Sequence, residues 1–183
     1  MESLGDIASE LAKLQELKGS EFIVQLKRIT DHNGFHPIET DPNIFTMGGE
    51  QDDDYENLLA AARKAVELGY TVYILPNPRG IRTADFIFVR RGVYKMYDLK
   101  TIQGKGSAGT QLKDSIGQCN RILLNIQSNY SGRLLASDIK SYFEANQKAL
   151  EVLVFKGKKI IPVTKRLAMN PLFNRLFRQL YEK

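Results

Sequence analysis

Residues 84–100 read Ala84-Asp-Phe-Ile-Phe-Val-Arg-Arg-Gly-Val-Tyr-Lys-Met-Tyr-Asp-Leu-Lys100, and this stretch decides the fold. β-Branched and aromatic residues fill Ala84 to Val89 and Val93 to Leu99, a composition that suits a pleated, half-buried surface. Between them Arg90-Arg91-Gly92 leaves room only for a tight turn, so the stretch is a β-hairpin. A hairpin brings its strand ends together, which predicts that Asp85, at the start of one strand, neighbours Asp98, near the end of the other. Alternation along the second strand sends Asp98 and Lys100 to one face and Leu99 to the opposite one. Two carboxylates and an amine are therefore expected to converge at one end of a sheet. Asp98 should lie within about 10 Å of Asp85, beyond which no one octahedral Mg²⁺ shell could bridge them.

Working upstream, residues 54–68 form a helix. Asp52, Asp53 and Asp54 crowd its start, where the helix dipole favours negative charge, and Gly69 supplies its stop. Tyr70 to Leu75 is a strand, and Pro76-Asn-Pro-Arg-Gly80 a loop. Residues 21–50, with Pro37, Pro42 and Gly48-Gly49, suggest turns and short extended pieces. Residues 2–17 carry Leu4, Ile7, Leu11 and Leu14 at helical spacing, stopped by Gly19.

Downstream, Gly104, Gly106 and Gly109 mark a flexible connection. The stripe Leu112, Ile116, Cys119, Leu123 and Ile126 predicts a helix over 110–126, broken by Asn129-Tyr-Ser-Gly132. Ser137 can cap a further helix reaching Leu150. Glu151 to Phe155 and Lys159 to Val163 form a second hairpin around Lys156-Gly157-Lys158, with Pro162 placing the last strand at an edge. Asn170 and Pro171 open a final helix with Leu172, Phe173, Leu176, Phe177 and Leu180 on one face. The order is that of an α/β domain: a central mixed sheet flanked by helices, with residues 1–50 as an N-terminal extension and 51–183 as the main domain.

Composition narrows the function classes. The single cysteine, Cys119, rules out an intrachain disulfide, and two histidines cannot complete a Cys/His zinc pattern; a reducing, intracellular setting is the natural expectation. No run of about 18 apolar residues predicts a membrane span. The first residues are amphipathic and mixed in charge, without the basic start and apolar stretch of a signal peptide. Net charge is +5, unevenly spread. Residues 1–100 hold 12 Lys and Arg against 16 Asp and Glu, whereas residues 101–183 hold 14 against 5. A half carrying +9 suggests a polyanionic partner, nucleic acid above all, although a basic solvated surface would have the same composition.

The residue types fit phosphodiester hydrolysis. Carboxylates are the hard ligands that Mg²⁺ or Mn²⁺ takes, usually one or two per ion with water completing the shell. A cation so held polarises a phosphate and acidifies its bound water. Lys100 can position the nucleophile or stabilise developing charge. Lys105, Lys113 and Arg121 are candidates for phosphate contact. His36, beside Pro37, is a possible general base for RNA cleavage or a structural turn residue.

Ala84-Asp85, a short hairpin and then Asp98-Leu99-Lys100 resembles the Asp…(Asp/Glu)-x-Lys signature of the PD-(D/E)xK nuclease superfamily, with Ala84 at the variable proline position. The resemblance implies a core in which the β-hairpin carries the acidic site. It also implies that Glu56, on the helix before the first core strand, joins Asp85 and Asp98 as a metal ligand. Gln118, expected on the helix after the signature, would be the glutamine many members carry there. More narrowly, Glu56 to Thr164 resembles the nuclease tails of bacterial contact-dependent growth-inhibition and related polymorphic toxins. That likeness implies cleavage of tRNA or DNA in the cytoplasm of a target cell, delivery as part of a larger secreted protein, and a dedicated immunity protein, acidic if it meets the +9 half.

Other readings stay open on the residues alone. Asp53-Asp54-Tyr55-Glu56 also looks like a capping box, which would explain Glu56 without a metal. Gln118 shares a polar stripe with Asp114, Arg121 and Asn125, so solvent exposure explains it too. Cys119 on the apolar stripe reads as a buried thiol. At the level of function, the alternatives are a nuclease of a mobile element and a nucleic-acid-binding module that does not cut.

Overall fold

The computed structural model describes residues 4–48, 54–78, 83–104 and 108–183. The chain forms two compact units, Met1–Tyr97 and Asp98–Lys183, and the division falls inside one strand. Both units mix parallel and antiparallel strands with helices, the α/β class expected.

The first unit opens with α1 (Leu4–Lys13) and α2 (Gly19–Thr30). Ile7 and Leu11 of α1 and Leu26 and Ile29 of α2 are all fully buried. Gln25 donates to the Glu10 carboxylate at 2.6 Å and to its carbonyl at 3.1 Å, which ties the pair together and holds the Glu10 carboxyl below its usual range. Gly19, read as a stop, instead begins α2 with φ of 59°. Strands β1 (His36–Ile38) and β2 (Asp41–Thr46) pair antiparallel, so residues before 51 contribute strands to this unit. From β2 the chain crosses through α3 (Tyr55–Glu67) to β3 (Thr71–Ile74), which pairs parallel with β2, as a βαβ connection requires. Helix α3 buries Leu59, Ala61, Ala62 and Ala65 and ends before Gly69, whose φ of 93° only glycine takes freely.

Strand β4 (Phe86–Arg90) and the first half of β5 (Val93–Ile102) complete the unit. Their hairpin turns through Arg91 and Gly92, with φ of 52° and 74°, the two positive values of a type I′ turn. Phe86, Phe88 and Tyr97 sit fully buried with rings 5.1–5.3 Å apart.

In the second unit the rest of β5 pairs parallel with β6 (Arg121–Ile126), β6 pairs parallel with β7 (Glu151–Lys156), and β8 (Lys159–Thr164) closes the order antiparallel to β7. Pro162 lies in this last strand, which pairs on one side only. The parallel crossovers run through α4 (Ala108–Asp114) and α5 (Gly132–Ala145), and the chain finishes with α6 (Lys165–Ala168) and α7 (Phe173–Glu182).

Three sequence expectations change here. The helix over 110–126 ends at Asp114; turn residues follow, Gly117 takes φ of 89°, and Arg121–Ile126 is a strand. Helix α5 begins at Gly132, capped by the Ser131 hydroxyl, which accepts from the Leu134 amide at 3.2 Å; Ser137 lies inside the helix. In α7 the buried residues are Phe173, Phe177 and Tyr181, whereas Leu176, Leu180 and the N-cap residue Leu172 face outward.

Loop 127–131 is fastened from several sides. Tyr130 donates to Asp138 at 2.7 Å, its carbonyl accepts from the Tyr181 hydroxyl at 2.7 Å, and burial, with Asp138 second, pushes its phenol up to about 12.

Candidate active site

Strand β5 carries the acidic motif because its second half lies beside β6. Asp98, Lys100 and Ile102 pair in register with Ile122, Leu124 and Ile126, and paired residues of parallel strands share a face. The three partners belong to the core beneath α4 and α5. Asp98 therefore points toward apolar packing and is only 7% exposed. Lys100 Nζ sits 3.3 Å from Asp98 Oδ2, close enough to pair charges. The approach is not aligned as a hydrogen bond, however, and Oδ2 is buried with no donor. A buried carboxylate oxygen in that state is costly, and native structures rarely keep one without a use.

Neighbours of Asp98 come from positions that the sequence did not connect. Cys119 lies in the segment between α4 and β6 with the amides of Arg121, Asn120 and Asp98 against its sulfur. Burial drives its thiol up to about 11, with the Asp98 charge adding to the rise. The Tyr142 hydroxyl on α5 accepts from Asn146 Nδ2 at 3.4 Å and also bonds Ser115; burial raises its pKa, and Asp98 contributes. Ser115, Tyr142 and Asn146 are all buried polar side chains. Nothing in their spacing marks them, because α4, the 115–120 turn and α5 meet only through packing. A thiol with a pKa of about 11 is roughly one part in a thousand thiolate at pH 8. Disulfide-exchange labelling of Cys119 in the native protein should thus run far slower than in denaturant; equal rates would contradict its burial.

Gln118 does not stand on the helix after β5. It lies on the turn beyond α4, partly exposed, donating to the Asp114 carbonyl at 3.3 Å. The glutamine that α4 does carry is Gln111, whose Nε2 reaches the Thr101 carbonyl at 3.3 Å, beside Lys100 on β5. Arg121 is committed to Glu151, its cross-strand partner on β7, at 3.1 Å. Glu151 is 4% exposed, so the pair ties β6 to β7 at a nearly buried carboxylate. Lys113, in the last turn of α4, is exposed. Lys105 lies outside the described residues. Arg121→Met should lower stability by about 1–3 kcal/mol, since Glu151 loses a charged partner, while Lys113→Met should stay within about 0.5 kcal/mol of wild type. Matching thermal melts for the two variants would return Arg121 to the pool of phosphate contacts.

In the first unit Asp85 immediately precedes β4 and is half-buried. Its amide donates to the Tyr97 carbonyl at 3.0 Å and its carbonyl accepts from the Leu75 amide at 2.9 Å, so its backbone is held on both sides. Glu56, the second residue of α3, is exposed. The capping-box reading of Glu56 takes Asp53 as the capping acid, and Asp53 lies outside the described residues. Asp54 occupies the cap with helical φ and ψ and no side-chain bond to the helix amides, and its carboxylate instead accepts from Asn57 Nδ2 at 2.8 Å. His36 is exposed on β1. Among the described residues, no three His, Cys, Asp or Glu side chains gather as a metal shell. Among those residues, too, no helix is long and apolar enough to cross a membrane.

No family model and no curated protein matches the chain. Among solved structures, it is similar to a CdiA-CT/CdiI toxin and immunity complex from Burkholderia pseudomallei, with 20% sequence identity and a TM-score of 0.46, over 64% of this chain and 92% of that one.

Proposed function

We propose that the chain is a divalent-metal-dependent endonuclease, using Mg²⁺ or Mn²⁺ to hydrolyse phosphodiester bonds in tRNA or DNA. We read it as a toxin effector domain held in check by an acidic immunity protein. The observation that carries the chemistry is the buried Asp98 Oδ2, which has a cation 3.3 Å away and no hydrogen-bond donor. An acceptor left open in an apolar setting is the donor chemistry a hard cation needs. The Asp-x-Lys motif and the preceding Ala-Asp support the same reading, as does the basic second half of the sequence.

In this scheme Asp98 would hold the cation, and the motif resemblance adds Asp85 and Glu56 as further carboxylates. Lys100 stabilises charge that develops on the phosphate. Gln111 joins Gln118 as a candidate for positioning the strand or substrate, because its amide already engages β5. A bound cation supplies Lewis acidity and an acidified water. The test is gel-resolved digestion of purified tRNA and plasmid DNA by the purified chain with added Mg²⁺. Specific cleavage of one substrate assigns it, and intact substrates at micromolar protein would overturn the enzyme reading in favour of a binding module.

A further inference from the structure

Helix α7 carries two apolar rows. Phe173, Phe177 and Tyr181 are buried in the second unit. One position earlier at the same four-residue spacing, Leu172, Leu176 and Leu180 are 57%, 37% and 55% exposed, and Met169 just upstream is 39% exposed. Four-residue spacing lines the leucines up on one face. A single exposed leucine is ordinary, whereas a row of them marks a surface that gains by being covered. The surroundings are cationic. From Lys165 to Lys183 the chain holds Lys165, Arg166, Arg175, Arg178 and Lys183 against Glu182 alone, and Glu182 is taken by Arg178 at 3.1 Å. Arg175 and Lys183 each follow a row leucine by three residues, which puts them beside the row.

The pairing of leucines with cations selects among occupants. A phosphate backbone would use the cations and gain nothing from the leucines. A second copy docking by two-fold symmetry would bring the same cations together. A lipid surface calls for the helix's wide apolar arc, but its aromatic part is already buried, leaving a narrow row with no aromatic anchor. An acidic protein surface with an apolar centre satisfies both features: the leucines fill the dry middle and the cations meet an acidic rim.

We propose that the Leu172–Leu176–Leu180 row, with Arg175 and Lys183 beside it, is the docking face for an acidic protein partner. This rests on the immunity-partner part of the reading above, not on its metal chemistry. The probe is the product of the adjacent downstream reading frame, titrated calorimetrically against the full chain. The Leu172→Glu/Leu180→Glu variant should bind at least about a hundredfold more weakly than wild type. It should keep the wild-type melting temperature, because both leucines are exposed. Leu150→Glu, which alters another exposed leucine outside α7, should bind as wild type does. Arg175→Glu should slow association, with the difference shrinking as salt rises. A wild-type complex that the double variant matches in affinity would overturn the docking face while leaving the partner in place. No complex with wild type would overturn the partner and the face together. If the double variant instead lost binding to phosphatidylglycerol vesicles, or lost self-association on a sizing column, the row would belong to a lipid surface or a second copy, and the proposal would fail.

Discussion

Asp98→Asn should cut cleavage by about a thousandfold or more, the several kcal/mol of transition-state stabilisation a cation ligand controls at roughly 1.4 kcal/mol per tenfold. The same substitution should not unfold the protein. Asp98 is a nearly buried carboxylate whose Oδ2 has no donor, so replacing the charge with a neutral amide removes a desolvation cost. The melting temperature is expected to hold or rise. Lys100→Met should move the two readouts together: cleavage falls, and stability drops by about 1–3 kcal/mol because Asp98 loses the cation beside it. Opposite effects on stability with a shared loss of activity would be hard to obtain from a merely structural ion pair. If Asp98→Asn melts well below wild type, Asp98 is holding the fold, and the catalytic assignment fails.

Chelation should have an effect of the same order. Cleavage is expected to vanish in excess EDTA and to return when Mg²⁺ or Mn²⁺ is restored. Mg²⁺ usually takes only one or two carboxylates and keeps several waters, so the metal should be removed readily. Circular dichroism in EDTA should match the untreated protein, since both units are held by buried apolar side chains. Full activity in EDTA would redirect the chemistry toward a metal-free ribonuclease, with the exposed His36 as its general base.

The two stability predictions for Asp98 and Lys100 depend on a feature that sequence reading does not supply. Alternation is enough to put both residues on one face of β5. It does not say that this face turns into the core, nor that Lys100 approaches Oδ2 without aligning. Those facts follow from Ile122 and Leu124 lying in register beside the motif.

What the sequence by itself determined is what short-range forces decide. The hairpin around Arg91 and Gly92 is local: two residues with positive φ match the strand twist, and the flanking β-branched and aromatic residues need no distant partner to favour extension. Helix α3 and its glycine stop, and the β7–β8 hairpin through Gly157, are legible for the same reason. Only the tertiary structure decided the rest. Leu112, Ile116, Cys119, Leu123 and Ile126 satisfy helical spacing, but every residue from Ile122 to Ile126 is buried, as in a strand flanked by β5 and β7. A continuous apolar run is compatible with either period, so neighbouring strands make the choice. In α7, Phe173 and Leu172 look equally apolar, and which row the second unit buries is fixed by what packs against the helix. The Asp98 charge reaches Cys119 and Tyr142, and Tyr142 in turn bonds Ser115 and Asn146, residues scattered from 115 to 146 along the chain. Packing energy sums over the whole unit and leaves no periodic trace along the chain, so the polar surroundings of Asp98 could be read only once the unit had folded.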